Sequence, residues 1–312
     1  MAANTVRRTQ ITVLDGGLGQ ELVKRYGQPP TPLWSTQVML EQPGLVGELH
    51  ADFYTAGAHI ATTNSYTMHR DRLRGTPYEH QLKDLCKAAV EEASRVRPIG
   101  KQIAASIGPL GGSFRIIEYD SLAEAAALYE EKATNLEGVD LYIIETVASL
   151  DHARAALEGV TRVATKPVWL AVTVDDSDGT LLRSGEAVAD VCAIALEFNV
   201  AAILANCSAP EAIPAALEIF EGTGLPYGAY ANGFTHIDEA FLVPNATVTA
   251  LKARTDLNPI VYSKHALSWV AQGATILGGC CETGPEHIAA MVAALTEAGY
   301  DIHETPNGIQ SA

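Results

Sequence analysis

Eight short, nearly continuous apolar runs recur along the chain, at Ile11–Leu14, Ile60–Thr63, Ile103–Ile107, Leu141–Ile144, Val168–Val172, Ala202–Ala205, Tyr227–Tyr230 and Thr275–Leu277. Runs this short cannot be helices, and runs without alternation belong to strands buried on both faces, as in a parallel sheet covered by helices. Stretches with apolar residues at helical spacing separate them: Glu48–Ala56, Tyr78–Val96, Leu122–Leu136, Leu150–Val163, Val188–Phe198, Ile213–Phe220, Tyr262–Gln272 and Pro285–Ala298. The repeated strand–helix order predicts an α/β fold, a single closed (β/α)8 TIM barrel. An open doubly wound sheet fits the same element count. Its usual fingerprint is missing, however, because Gly16-Gly17-Leu18-Gly19 after the first run does not have G-x-G-x-x-G spacing.

No linker, repeat or low-complexity stretch divides the 312 residues, so one domain over 1–312 is expected, with a flexible polar tail at 303–312. Lys and Arg number 21 against 37 Asp and Glu, and a net charge of −16 argues against a nucleic-acid partner, which needs clustered cations. No segment approaches the roughly 20 apolar residues of a spanning helix. Met1-Ala2-Ala3-Asn4-Thr5 lacks the apolar stretch of a secretory signal. The expectation is a soluble cytoplasmic protein without membrane contacts, whose five cysteines (Cys86, Cys192, Cys207, Cys280, Cys281) stay unpaired in reducing surroundings.

In a barrel, chemistry gathers where the strands finish. The run ends read Asp15-Gly16-Gly17, Thr62-Thr63-Asn64, Gly108-Pro109, Glu145-Thr146, Thr173, Asn206-Cys207, Asn232-Gly233 and Gly279-Cys280-Cys281, nearly all small or polar. The opposite ends begin with ordinary loop residues such as Lys101, Gly138 and Lys166. Cys207 follows the sixth run and Cys280-Cys281 the eighth, so barrel closure can bring all three to one mouth. Three thiolates suit Zn²⁺ with a fourth position left for substrate, whereas a cysteine is also a small hydrophobe often buried without function. Spacing alone leaves both readings open, because no compact ligand motif is present. Cys86 and Cys192 lie inside helical apolar stripes and read as core.

Glu145 closes the apolar run Leu141-Tyr142-Ile143-Ile144, and a carboxylate buried there must find a partner. The same holds for Asp15, unless it serves only as the turn residue before Gly16. Trp34 and Tyr66 read either as packing aromatics or as ligand-facing ones, and Phe114 and Tyr119 are weaker candidates of that second kind. His59, His236 and His265 show no metal-ligand spacing and read as structural or peripheral.

Taken together, Asp15-Gly16-Gly17, Pro32-Leu33-Trp34-Ser35, Phe53-Tyr54-Thr55-Ala56-Gly57-Ala58, Thr62-Thr63-Asn64-Ser65-Tyr66, Asn206-Cys207 and Gly278-Gly279-Cys280-Cys281 resemble the zinc-dependent homocysteine S-methyltransferase family. The likeness runs from the first strand to the helix after Cys281. It implies a (β/α)8 barrel in which Cys207, Cys280 and Cys281 hold one Zn²⁺ and homocysteine's sulfur takes the open position. It further implies that Asp15 and Glu145 receive the substrate ammonium, with Thr63 and the Gly16-Gly17 backbone near its other polar atoms. Asn206 adjoins the metal, and Trp34 matches a position that lies against the methyl donor in the betaine-using branch.

The implied reaction is displacement of a methyl group from a cationic sulfonium or ammonium donor by the homocysteine thiolate, giving methionine. Zinc would ionise a thiol whose free pKa is near ~8.5, and an aromatic face is the natural partner of an onium cation. S-Methylmethionine, S-adenosylmethionine, betaine, dimethylsulfoniopropionate and a methyl group on a corrinoid-protein partner all remain open as donors. Family members using the first two often carry an acidic, tyrosine-containing segment after the third strand. Residues 111–119 keep only the pair Glu118-Tyr119 of it. Two other readings compete: a barrel lyase or aldolase using Glu145 and Asp15 for proton transfer, and a non-catalytic barrel that binds an amino acid or a metal.

Overall fold

The structure, a computed structural model, describes residues 9–244 and 246–303. In chain order the elements are β1 (Gln10–Val13), α1 (Leu18–Tyr26), α2 (Ser35–Glu41), α3 (Leu45–Thr55), β2 (Ile60–Thr62), α4 (Arg70–Leu73), α5 (Leu82–Val96), β3 (Gln102–Ile107), α6 (Leu122–Thr134) and β4 (Leu141–Val147). There follow α7 (Leu150–Thr161), β5 (Val168–Val172), α8 (Val188–Glu197), β6 (Ala202–Asn206), α9 (Ile213–Glu221), β7 (Tyr227–Tyr230), α10 (Pro259–Ala271), β8 (Ile276–Leu277), α11 (Pro285–Glu297) and β9 (Asp301–His303). All ladders are parallel and run β2-β3-β4-β5-β6-β7-β8-β1-β9. The ring closes where Leu14 bridges Ile60, with His59 N–H donating to Val13 O at 2.7 Å and Asp15 N–H to Ile60 O at 3.0 Å.

The predicted barrel is therefore present, and each predicted strand overlaps an observed one, the largest difference being at β4, which runs three residues further, to Val147. The sequence reading contains no counterpart of α1, α2 and α4, which lie in long β→α connections, or of β9. Three-residue β9 pairs with β1 from Gln10↔Asp301 to Thr12↔His303. It places the backbone of His303 in a strand, and the tail expected from there onward lies, from residue 304, outside the described residues. No described helix is long and apolar enough to cross a membrane.

Alternation along the strands divides the core in two. Leu14, Ile60, Ala104, Leu141, Ile143, Trp169, Ala171, Ala202, Leu204, Tyr230 and Ile276 pack inside the ring. Residues of opposite parity, such as Val13, Ile103, Tyr142, Ile144, Leu170 and Ile203, pack against the helices. Ala104, Ala171 and Ala202 leave room inside for the Trp169 indole, small against large, as a filled barrel requires. Helix starts carry their own signals. Ser121 and Ser149 accept from Glu124 N–H and His152 N–H, and Asn258 accepts from Ile260 and Val261 ahead of a first-turn proline. Each such cap contributes about 1 kcal/mol.

Helices α6 and α7 touch backbone to backbone at Gly159, where an added Cβ would stand 2.1 Å from Ala126 O and 2.8 Å from Tyr129 Cβ. An alanine normally stabilises a helix interior relative to glycine by up to about 1 kcal/mol. Here Gly159→Ala should instead destabilise by about 1–3 kcal/mol, because the two helices must separate. Urea denaturation measures it, and an unchanged or raised midpoint contradicts the contact.

Candidate active site at the barrel mouth

The ladder β6–β7–β8 brings three sulfurs together. Cys207 N–H donates to Tyr230 O at 3.0 Å and Cys280 N–H to Ala231 O at 2.9 Å, so consecutive carbonyls at the end of β7 hold the two cysteine backbones. The Sγ of Cys207 lies 2.8 Å from that of Cys280 and 3.9 Å from that of Cys281, and all three thiols are free. The sulfurs lie within 4.8 Å of one another, and they are the His, Cys, Asp and Glu group that the described residues arrange to hold a metal. Burial works to raise the Cys207 thiol, but hydrogen bonding with Cys280 and Cys281 and the nearby Arg183 bring it well below the usual thiol range. Three soft donors with one already inclined to ionise fit a thiophilic divalent ion.

Gly16 and Gly17 let the loop after β1 lie against the cysteine turn. A Cβ on Gly17 would meet Cys280 O at 2.3 Å, and one on Gly16 would meet Thr283 O at 2.3 Å. Gly17 N–H donates to Thr283 O at 2.8 Å across this approach.

Asp15 and Glu145 are both buried and both line the same cavity as Cys207, Cys280 and Cys281. Asp15 accepts from Thr62 N–H at 2.7 Å and Thr62 Oγ1–H at 3.0 Å. Burial nevertheless pushes its carboxyl up to about 8, against those hydrogen bonds and helped by the charge of Glu145. Glu145 accepts from Ser106 Oγ–H and, at 3.1 Å, from Tyr230 Oη–H, and burial pushes it up to about 7. Strand β4 continues through Glu145 to Val147, with a register shift against β5 between Ile144 and Val147.

The other sequence candidates divide. Thr63, Trp34 and Tyr66 line the cavity. Thr63 Oγ1 sits 2.7 Å from Ser65 Oγ and accepts from Ser106 N–H. Tyr66 Oη lies 2.8 Å from Ser113 Oγ, and its ring meets Trp34 edge-on at 6.1 Å. Trp34 lies across Gly19, where a Cβ would strike its ring at 2.3 Å. Its Nε1–H donates to Gln20 Oε1 at 3.0 Å, and Gln20 Nε2–H donates in turn to Glu282 Oε1 at 2.6 Å.

Asn206 stands apart from the lining: its Oδ1 accepts from Thr146 N–H at 3.0 Å and its Nδ2–H donates to Thr146 Oγ1 at 3.1 Å, bracing the residue after Glu145. Phe114 lines the cavity, with the Arg183 guanidinium 4.9 Å above its ring, while Tyr119 packs partly buried against the core. His59, His236 and His265 lie outside the lining, and Cys86 and Cys192 are in the core.

Several site residues have no assigned role in the sequence reading. Thr62, Ser106 and Tyr230 orient the two carboxylates, Phe234 and Phe241 extend the aromatic wall, and Arg72 lies in it. The signal for the first three was parity. Leu141 and Ile143 face the ring interior, so Glu145 does too, and Ser106 follows Ala104 in the same way. Buried Lys132 reaches from α6 to donate to Ser65 O and, at 2.6 Å, to Met68 O, fixing the segment that carries Thr63 and Tyr66. Of the six non-glycine residues at positive φ among the described residues, Trp34, Phe114, Thr146 and Cys207 line the cavity and Glu282 follows Cys281. Strain of this kind, about 1–3 kcal/mol each, collects where the surroundings dictate side-chain direction.

The family model for homocysteine S-methyltransferase matches residues 12–295. The homocysteine S-methyltransferase of Escherichia coli (strain K12) is 32% identical over 92% of this chain and 96% of its own, and one from Bacillus subtilis (strain 168) is 29% identical over 91% and 94%. In structure, the metallated form of the E. coli homocysteine methyltransferase MmuM superposes with a TM-score of 0.75 at 29% identity, covering 91% of this chain and 96% of that one. The chain belongs to the homocysteine S-methyltransferase family.

Proposed function

We propose that the protein transfers a methyl group from a cationic sulfonium or ammonium donor to the sulfur of homocysteine, giving methionine, with Zn²⁺ held by Cys207, Cys280 and Cys281. The observation that carries this reading is the meeting of three sulfurs and two buried carboxylates in one cavity at the barrel mouth. When bound, zinc supplies ionisation of the substrate thiol near neutral pH.

The chain's own residues do the positioning. Asp15, held by Thr62, and Glu145, held by Ser106 and Tyr230, accept the substrate ammonium, and their charges then need no other counter-ion. Thr63 and the Gly16-Gly17 backbone border the same space. Trp34 and Tyr66 offer aromatic faces to the onium group. The sulfur's electron pair forms the new S–C bond as the carbon–onium bond breaks, and that bond's pair leaves with a neutral thioether or amine. No proton moves in this step, so alignment of the two reactants is the main task left to the protein.

Metal analysis and a donor panel with homocysteine as acceptor test the reading, with methionine detected by mass. Cys280→Ala should lose bound zinc and lower turnover more than about 100-fold, since even outer-shell partners of a metal are worth 10–100-fold. Full turnover in this variant, or activity that survives a chelator and follows a carboxylate-controlled pH profile, would point to the lyase reading instead.

A second expectation follows from the raised carboxyls. Below pH 7 both hold protons, and those protons must leave before a cation can pair with them. Homocysteine affinity should therefore rise about tenfold or more from pH 6 to pH 8, with proton release on binding. Calorimetry in buffers of different protonation enthalpy reads both quantities, and a pH-independent affinity contradicts the assignment.

A further inference from the structure

Strand parity alone would turn Cys207 out of the cavity. Ala202 and Leu204 point inside the ring, whereas Ile203 and Ala205 pack against the helices. Extended backbone would give Cys207 the direction of Ile203 and Ala205, because successive side chains along a strand face opposite ways. Cys207 nevertheless lines the cavity, and the chain achieves this by placing it at φ 49°. That left-handed backbone is unfavourable for a residue with a Cβ and persists only where the surroundings over-determine it. Here the surroundings converge on one atom. The Cys207 carbonyl accepts from Asn232 Nδ2–H at 2.7 Å, Thr173 Oγ1–H at 3.2 Å and Arg183 Nη2–H at 3.4 Å. Thr173 follows β5, Asn232 follows β7 and Arg183 lies in the β5→α8 connection, so three segments hold one peptide. Arg183 organises the group. Its Nε–H donates to Thr173 Oγ1 at 2.9 Å, which leaves the proton of that hydroxyl for the Cys207 carbonyl. Its Nη1 and Nη2 donate to Asp176 Oδ2 at 3.2 Å and Oδ1 at 2.9 Å. Asp176 Oδ1 also accepts from Ala209 N–H at 2.8 Å, so one ion pair braces the turn on both sides of Ser208. Thr173 is fully buried and the Arg183 side chain nearly so, which keeps water from replacing these bonds.

We propose that Arg183 is a positioning residue for the metal site: acting through Thr173, it fixes the Cys207 carbonyl and so keeps the Cys207 sulfur turned in toward Cys280 and Cys281. The inference rests on the three-cysteine zinc reading and deepens it. Without this clamp the peptide after Asn206 is free to return to extended backbone, which carries the sulfur toward the helices and leaves the ion two ligands. Those two are held otherwise. Cys280 N–H donates to Ala231 O at 2.9 Å and Gly233 N–H to Cys281 O at 2.8 Å, backbone bonds in which Arg183 has no part. The planar fork is essential, because Nε–H and the two Nη groups serve partners on different sides, whereas a lysine ammonium is a single point of donation.

The test measures zinc affinity by competition with a chromogenic chelator in wild type, Arg183→Met, Arg183→Lys, Thr173→Val and Thr173→Ser. Co²⁺ is titrated into the same proteins as a visible probe of thiolate coordination. Arg183→Met and Thr173→Val should weaken zinc about 10- to 100-fold, the range for partners that orient metal ligands, and should lower the cobalt–thiolate absorption. Thr173→Ser keeps the hydroxyl and should restore most of the affinity. Arg183→Lys should stay weak, and it replaces Arg183→Met if that variant fails to fold. Thr173→Val leaves the positive charge in place, so normal zinc binding there beside a loss in Arg183→Met would make charge alone the cause and overturn the proposal. Wild-type affinity in both variants would overturn it as well, as would zinc loss only where far-UV circular dichroism is lost too. Wild type that binds neither zinc nor cobalt would overturn the three-cysteine reading and the proposal together. Methionine formation is read in parallel. Weakened zinc in the variants without methyl transfer by wild type would uphold the clamp and reject the methyl-transfer reading alone.

Discussion

The geometry of the site depends on the hydrogen-bond ladder β6–β7–β8. Ala205 is in register with Ala229, and Ala229 with Leu277, and just beyond these pairs the carbonyls of Tyr230 and Ala231 receive the N–H groups of Cys207 and Cys280. The two cysteines are 73 residues apart along the chain, yet a single strand sets their separation. A one-residue slip in that ladder would turn Tyr230 out of the ring and part it from Glu145, because side chains alternate strictly along a strand. Register, core packing and sulfur convergence are one constraint expressed at three scales.

Electrostatics explains why such a pocket persists without a packed apolar filling. Two carboxyls and three thiols share a region of low dielectric, where like charges cannot all be present together. Burial answers this by pushing Asp15 up to about 8 and Glu145 up to about 7, while Cys207 is eased toward ionisation by its sulfur neighbours. A cationic partner in the cavity therefore favours ionisation of both acids. The backbone follows the same logic, since Trp34, Phe114, Thr146 and Cys207 accept unfavourable positive φ values to aim their side chains inward.

Most of the fold was legible because buried parallel strands leave an unambiguous mark: short apolar runs, each closing on a polar or small residue. The three cysteines and Asp15, Thr63 and Glu145 could be placed at the mouth on that ground. What escaped did so for identifiable reasons. Short α2 and α4 sit in loop segments whose helical turns are fixed by tertiary contacts rather than by amphipathic pattern. Strand β9 has three residues and pairs only with β1. Asn206 reads as a site residue by position, but its amide is committed to Thr146. Ser106 and Tyr230 are ordinary strand residues until the interior parity of β3 and β7 is known, and Phe234 and Phe241 come from a connection with no periodicity at all.

Finally, the amide of Gln20 joins parts of the rim that are otherwise separate, taking the indole proton of Trp34 with its oxygen and giving its own proton to Glu282, next to Cys281. An amide offers one acceptor face and one donor face, and here both are spoken for, so the aromatic flank and the sulfur-bearing turn share a single hinge pin. The turn that carries Cys281 and Glu282 is therefore coupled to the Trp34 indole through one amide, so neither flank of the rim shifts without pulling on the other.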